Sequence, residues 1–136
     1  MKIFLDTNIL ISGIFFRGNE AKLLQIPEIE FVTSQIVVEE LKCIVRNKFS
    51  SLKVESLKLA IAEVEKAMKD IQIVQDTDWS KYISEAKKMV GGKNDQKILA
   101  AILFSKPDYF VTGDKHFYNE KVKTKVKIRK TREILK

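Results

Sequence analysis

Cysteine is almost missing from this chain: Cys43 is the only one in 136 residues. A single thiol excludes an internal disulfide and a cysteine-based zinc site. Histidine is equally scarce, with His116 alone, so no pair of imidazoles is available to a metal ion. Five glycines and two prolines leave no room for a flexible linker, and neither a low-complexity segment nor a solenoid repeat is present. Long apolar runs are lacking too. The longest, Ile98 to Phe104, is far below the roughly 18 residues needed to cross a bilayer. Met1, Lys2 and the apolar residues after them imitate a leader, but Asp6 and Asn8 interrupt the stretch and no small-residue cleavage site follows. The expectation is a cytoplasmic protein with no membrane association.

The composition, 45% hydrophobic and 32% charged, is that of a globular domain rather than a disordered chain. A chain of this length is expected to form one domain, 1–136, burying about two-thirds of its unfolded surface. Net charge is +7, and it is not spread evenly. Residues 121–136 carry eight Lys or Arg and one Glu, which accounts for the whole excess; the other 120 residues hold 17 basic and 17 acidic groups. A localised basic stripe can be a footprint for a polyanion.

Patterning predicts alternating strands and helices. Residues 2–7 alternate little and are mainly apolar, as in a strand buried on both faces of a parallel sheet. Gly18 or Asn19 caps a short helix, 20–25, that stops before Pro27. Residues 30–34 read as a second strand, with Ser34 as cap of a helix to about Lys48. Ser50 and Ser51 open another helix, in which Leu57, Ala60, Ile61, Val64, Ala67 and Met68 follow the 3.6-residue period. A third strand covers 71–74. Asp76 and Asp78 precede a helix from Trp79 to about Val90, Gly91-Gly92 ends it, and Asn94 starts the next, to about Ser105. Residues 108–114 and 125–130 are the fourth and fifth strands, and Thr131 caps a last turn, 132–135. Such alternation implies an α/β three-layer sandwich with a mostly parallel sheet.

Ligands of open parallel sheets bind beyond the carboxyl ends of the strands. Asp6 ends the first strand and Asp114 the fourth, so the two converge if those strands are neighbours. Each has a plainer reading as a turn or capping residue. On the helix after Ser34, Val37, Val38, Leu41, Ile44 and Val45 define an apolar face; Glu40 lies at its border and Glu39 points away. Asp95 shares the face of Ile98, Leu99 and Ile102, although an acid in a first helical turn is also favoured by the helix dipole. Two carboxylates about 4 Å apart repel by about 4 kcal/mol at an effective dielectric near 20. A cluster of four would take up protons or hold a cation. Oxygen ligands alone select a hard ion, Mg²⁺ or Mn²⁺, which suits hydrolysis of a phosphodiester.

Four segments in order, "FLDTNILIS", "TSQIVVEELKCIV", "NDQKILAAIL" and "YFVTGDKHF", resemble the PIN-domain family, in particular VapC-like toxin components. The resemblance spans residue 2 to about 134. It implies a Rossmann-like fold with a parallel five-stranded sheet in the order 3-2-1-4-5. It also implies a metal-dependent endoribonuclease, with Asp6, Glu40, Asp95 and Asp114 as the acids that hold Mg²⁺ or Mn²⁺ and carry catalysis. Asn8 and Thr112 match the family's supporting polar residues. A dimer and a cognate antitoxin partner are implied as well. The chain departs from the family in two places. Asn94 and Gln96 flank the third acid where relatives often carry another acid, and His116 stands two residues after Asp114 where relatives often carry an acid. His116 reads as a surface or loop residue rather than a base.

In 121–130 the cations Lys121, Lys123, Lys125, Lys127 and Arg129 alternate with Val122, Val126 and Ile128. Lysines on an edge strand prevent aggregation, and they can also hold RNA phosphates. Lys125, Lys127 and Arg129, together with Arg17 and Lys115, are the candidate RNA contacts. Two other functions compete with the nuclease. One is an RNA- or partner-binding module of the same fold without catalysis. The other is a phosphatase using Asp6 as nucleophile; Asn8, where such enzymes place a second Asp, argues against it.

Overall fold

The computed structural model describes residues 1–48, 50–51 and 53–135; of the basic tail, Lys136 lies outside them. The chain forms β1 (Lys2–Leu5), α1 (Thr7–Phe15), α2 (Asn19–Leu24), β2 (Glu30–Ser34), α3 (Gln35–Lys48), α4 (Val54–Met68), β3 (Gln72–Val74), α5 (Asp76–Trp79), α6 (Ile83–Lys87), α7 (Lys93–Ser105), β4 (Tyr109–Val111), α8 (Glu120–Lys123), β5 (Ile128–Arg129) and α9 (Thr131–Ile134). Single 3₁₀ turns occupy Ser80–Tyr82 and Lys115–Phe117.

The five strands form one sheet, ordered β3-β2-β1-β4-β5, with every pair parallel. This is the Rossmann-like α/β architecture the sequence implied. The central strand is apolar because both its faces are covered: Ile3, Phe4 and Leu5 are fully buried. Phe4 opposes Phe110 in register, and their rings meet edge to face with centroids 5.8 Å apart. Phe110 in turn meets Phe117 at 5.0 Å. That aromatic chain ties the turn after β4 to the core. Helices flank the sheet; α1 packs on α2 and α3, while α7 packs on α5, α6 and β2. A Cβ on Gly13 would collide with the Leu24 side chain, so glycine is what lets α1 and α2 approach so closely.

Several boundaries differ from those expected. The first strand ends at Leu5, and Thr7 begins a helix. An uninterrupted apolar run does not distinguish a buried strand from a buried helix, and Asp6 decides by capping. Its carboxylate accepts from the Thr7 amide at 2.8 Å, which satisfies one orphan donor of the first turn. Ser34 caps α3 as expected, its Oγ accepting from Val37 N at 3.3 Å. The next helix starts at Val54 rather than at Ser50. The helix read from Trp79 to Val90 begins earlier, at Asp76, and breaks into α5, a 3₁₀ turn and α6. Asp78 drives the early start by accepting from the Gln75 amide at 3.1 Å. Lys106 ends α7 in the left-handed region, φ 50°, immediately before Pro107.

The largest departure is in the basic tail. The fourth strand is only 109–111 and the fifth only 128–129. Residues 120–123 are helical because Asn119 accepts from Val122 N at 3.0 Å. Val122, Val126 and Ile128 are buried as their alternation required, but Val122 and Val126 stand one helical turn apart rather than along a strand. Thr131 is the first residue of α9, not its cap; Lys130 holds that place and Glu133 accepts from its amide at 2.8 Å.

Candidate functional site

The carboxyl end of β1 is where polar groups first enter the core. Asp6 is 5% exposed, and both of its oxygens are engaged. Oδ1 accepts from Thr7 N, and Oδ2 accepts from the Thr112 hydroxyl at 2.5 Å. Thr112 follows β4, the neighbouring strand, and is fully buried. Its Oγ1 also accepts from Asp114 N at 3.0 Å, while its carbonyl accepts from the Tyr118 hydroxyl at 2.8 Å. One threonine therefore fixes the positions of two acids. Burial pushes the Asp6 carboxyl from its usual 3.8 up to about 6, against the pull of the Thr112 and Thr7 hydrogen bonds and with added repulsion from Asp114 and Glu40.

Glu40 comes from α3, half-buried as its border position predicted, while Glu39 faces solvent. The Thr7 hydroxyl donates to its Oε1 at 2.6 Å and the Asn94 amide to its Oε2 at 3.3 Å. Asp95 lies in the first turn of α7. Its protonation is also favoured, first by burial and then by the charges of Asp114 and Glu40, with His116 acting the other way. A Cβ at Gly92 would lie 3.3 Å from Asp95 Oδ2, so the glycine keeps the loop before α7 close to that carboxylate.

Asp114 does not end a strand; it sits three residues beyond β4 and caps the 3₁₀ turn, accepting from His116 N at 3.0 Å. The His116 ring folds back over the same acids. Its Nδ1 is 3.0 Å from Asp114 Oδ1 and 3.6 Å from Asp95 Oδ2. Among the described residues, Asp95, Asp114 and His116 form a group whose donor atoms all lie within 4.8 Å of one another, close enough to share one ion.

Four carboxylates from four elements thus lie within electrostatic reach of one another beyond the carboxyl end of a parallel sheet, although the three-residue group includes neither Asp6 nor Glu40. Three residues join them that the patterning did not single out as site members. Thr7 and Asn94 position Glu40, and His116 is an exposed loop residue as expected, yet it stands against two acids. Sequence signals existed for Thr7 and Asn94, since each immediately flanks a candidate acid. Asn8 is exposed and makes no side-chain hydrogen bond among the described residues.

The candidate cations divide by position. Lys115 is exposed beside Asp114, and Arg17 is exposed beyond α1. Lys125 and Lys127 precede β5, which puts them at the amino end of the sheet, opposite the acids; the Lys127 carbonyl accepts from Phe110 N, and Lys125 Nζ is 3.9 Å from Glu85. Arg129 is occupied locally, its guanidinium 5.1 Å from the Tyr109 ring centroid and donating to the Ile128 carbonyl. No helix among the described residues is long and apolar enough to cross a membrane.

The acids lie beyond the carboxyl ends of β1 and β4, at the switch point of a 3-2-1-4-5 parallel sheet, where open Rossmann-like α/β folds bind their ligands. The PIN-domain profile matches residues 4–136, and the chain belongs to the PIN-domain family. No curated protein matches it by sequence. Solved structures similar in fold include VapBC2 from Rickettsia felis bound to a promoter DNA fragment, at TM-score 0.71 and 20% identity, covering 96% of this chain and 98% of that one. VapBC-1 from nontypeable Haemophilus influenzae is similar at TM-score 0.64 and 22% identity, covering 97% and 99%. A toxin–antitoxin complex from Klebsiella pneumoniae is similar at 0.61 and 17%, covering 95% and 97%.

Proposed function

We propose that this protein is a divalent-metal-dependent endoribonuclease that hydrolyses RNA phosphodiester bonds as the toxin of a toxin–antitoxin pair. The observation that carries the proposal is the convergence of Asp6, Glu40, Asp95 and Asp114, from four elements, beyond the carboxyl ends of β1 and β4, where burial first and the charges of Asp114 and Glu40 after it favour protonation of Asp6 and Asp95. Such a cluster of carboxylates fits a hard dication, and oxygen donors suit Mg²⁺ or Mn²⁺. Asp6, Glu40, Asp95 and Asp114 would hold it. When bound, such an ion supplies charge neutralisation at the scissile phosphate and acidifies water for attack.

The chain's own residues prepare that site. Thr112 orients Asp6 and Asp114 through one hydroxyl, and Thr7 with Asn94 fixes both oxygens of Glu40. Lys115, exposed next to Asp114, is the cation placed to meet an RNA phosphate at the acids, while Arg17 is exposed beyond the far end of α1 and would meet RNA only farther along. The toxin reading is supported by the shared fold of the two VapBC structures and of the toxin–antitoxin complex from Klebsiella pneumoniae. By that likeness an antitoxin partner and a homodimer are proposed, within a single cytoplasmic domain.

The test is cleavage of a mixed-sequence RNA with Mn²⁺, with Mn²⁺ plus EDTA, and with Asp114→Asn purified identically. Cleavage that needs both the metal and Asp114 is the expected result. Equal cleavage by the variant would refute the site, and a folded protein inert in every arm would favour a binding module.

A further inference from the structure

A metal ion held only by carboxylates discriminates weakly between Mg²⁺ and Mn²⁺, whereas an imidazole donor favours the transition metal. His116 is placed to make that difference. Its Nδ1 faces Asp114 Oδ1 at 3.0 Å and Asp95 Oδ2 at 3.6 Å. Metal–nitrogen and metal–carboxylate distances of about 2.0–2.2 Å separate adjacent donors on one ion by about 3.0–3.5 Å, close to the spacing seen. The turn bearing the ring is anchored from below. Phe117 is fully buried against Phe110, and the His116 amide donates to Asp114. The ring itself is 77% exposed, so an ion can reach it from solvent and the fold does not depend on it.

We propose that His116 is a metal ligand, joining Asp95 and Asp114 in a mixed nitrogen–oxygen site that selects Mn²⁺ over Mg²⁺. The inference rests on the metal site proposed above. The competing account of the same contacts is an ion pair between a protonated imidazole and two carboxylates, with no nitrogen on the metal. The two differ in what Mn²⁺ senses. The neutral imidazole coordinates through the nitrogen that now faces the acids, and its ¹⁴N nucleus then couples to the manganese electron spin.

The experiment loads the full chain with one equivalent of Mn²⁺ and records its electron spin-echo modulation. In parallel, calorimetry measures Mn²⁺ and Mg²⁺ affinities for the wild type, His116→Ala, His116→Asp and Asp114→Asn. The expected result is a directly coordinated ¹⁴N signal in the wild type that His116→Ala and His116→Asp both abolish. The Mn²⁺-over-Mg²⁺ affinity ratio should fall about tenfold or more in His116→Asp, whose site is all oxygen. Stoichiometric Mn²⁺ binding that depends on Asp114 but shows no ¹⁴N coupling would overturn the His116 proposal and leave the acid site standing. An unchanged affinity ratio in His116→Asp would overturn it equally. No Mn²⁺ binding in any sample would overturn both.

Discussion

Asp6→Asn is expected to make the metal-free protein more stable at neutral pH while abolishing RNA cleavage. In the native state the Asp6 carboxyl resists ionisation, with its midpoint raised from 3.8 to about 6. Between those values the folded chain binds more protons than the unfolded one, so stability falls as pH rises. The loss is complete once the pH is well above 6 and amounts to about 3 kcal/mol. Asn carries no charge to desolvate and retains a carbonyl to accept from Thr7 N, but its NH₂ cannot accept from the Thr112 hydroxyl, which costs about 1 kcal/mol at any pH. The variant should therefore exceed the wild type by about 2 kcal/mol at pH 7.5, or about 7 °C in Tm for a domain this size. That difference should fall by about 2.5 kcal/mol between pH 7.5 and pH 4. Urea denaturation of both proteins in EDTA, at half-unit steps from pH 4 to 8, reads this directly. A variant no more stable than the wild type at pH 7.5, or a gap that does not vary with pH, would refute the claim that Asp6 is held at the core edge against its own charge.

Other outcomes are expected from the same geometry. Mn²⁺ at 100 times its dissociation constant should stabilise the wild type by about 2.7 kcal/mol at pH 7.5. At pH 5, where Asp6 retains its proton, a given Mn²⁺ concentration should stabilise less, as thermal melts at both pH values will show. Thr112→Val removes the hydroxyl shared by Asp6 and Asp114 and should cost about 1–3 kcal/mol at pH 7.5, measured by urea denaturation. Phe117→Ala empties a fully buried ring site under the Asp114 turn and should cost about 3–5 kcal/mol; a loss below 1 kcal/mol would mean that turn is not anchored there. Lys125→Ala with Lys127→Ala, at the opposite end of the sheet, should leave RNA cleavage within about twofold of wild type, whereas Lys115→Ala should weaken it in a salt-dependent way.

The helical periodicities of α3 and α7 were enough to aim Glu40 and Asp95 inward, because burial of one helical face is a local property of residue spacing. The apolar run at 3–5 and the alternation of elements likewise specified a parallel sheet. The same code failed where one pattern serves two structures. Residues 9–11 continue the apolar pattern of β1 yet fold as a helix, and the Val–Lys alternation of 121–128 mimics a strand while Asn119 starts a helix inside it.

What the chain determined by itself is therefore the set of acids and the class of fold, since residue type and period are written locally. Which groups partner them was decided only in three dimensions. Thr112 reaches Asp6 across 106 positions of sequence, Thr7 reaches Glu40 across 33, and His116 meets Asp95 from the turn whose next residue, Phe117, is buried in the core. Hydrogen bonds and mutual charge repulsion act over a few ångströms of space, whatever the separation along the chain. The pairing of β1 with β4 brings those distances about, and the residues that flank each acid do not reveal it.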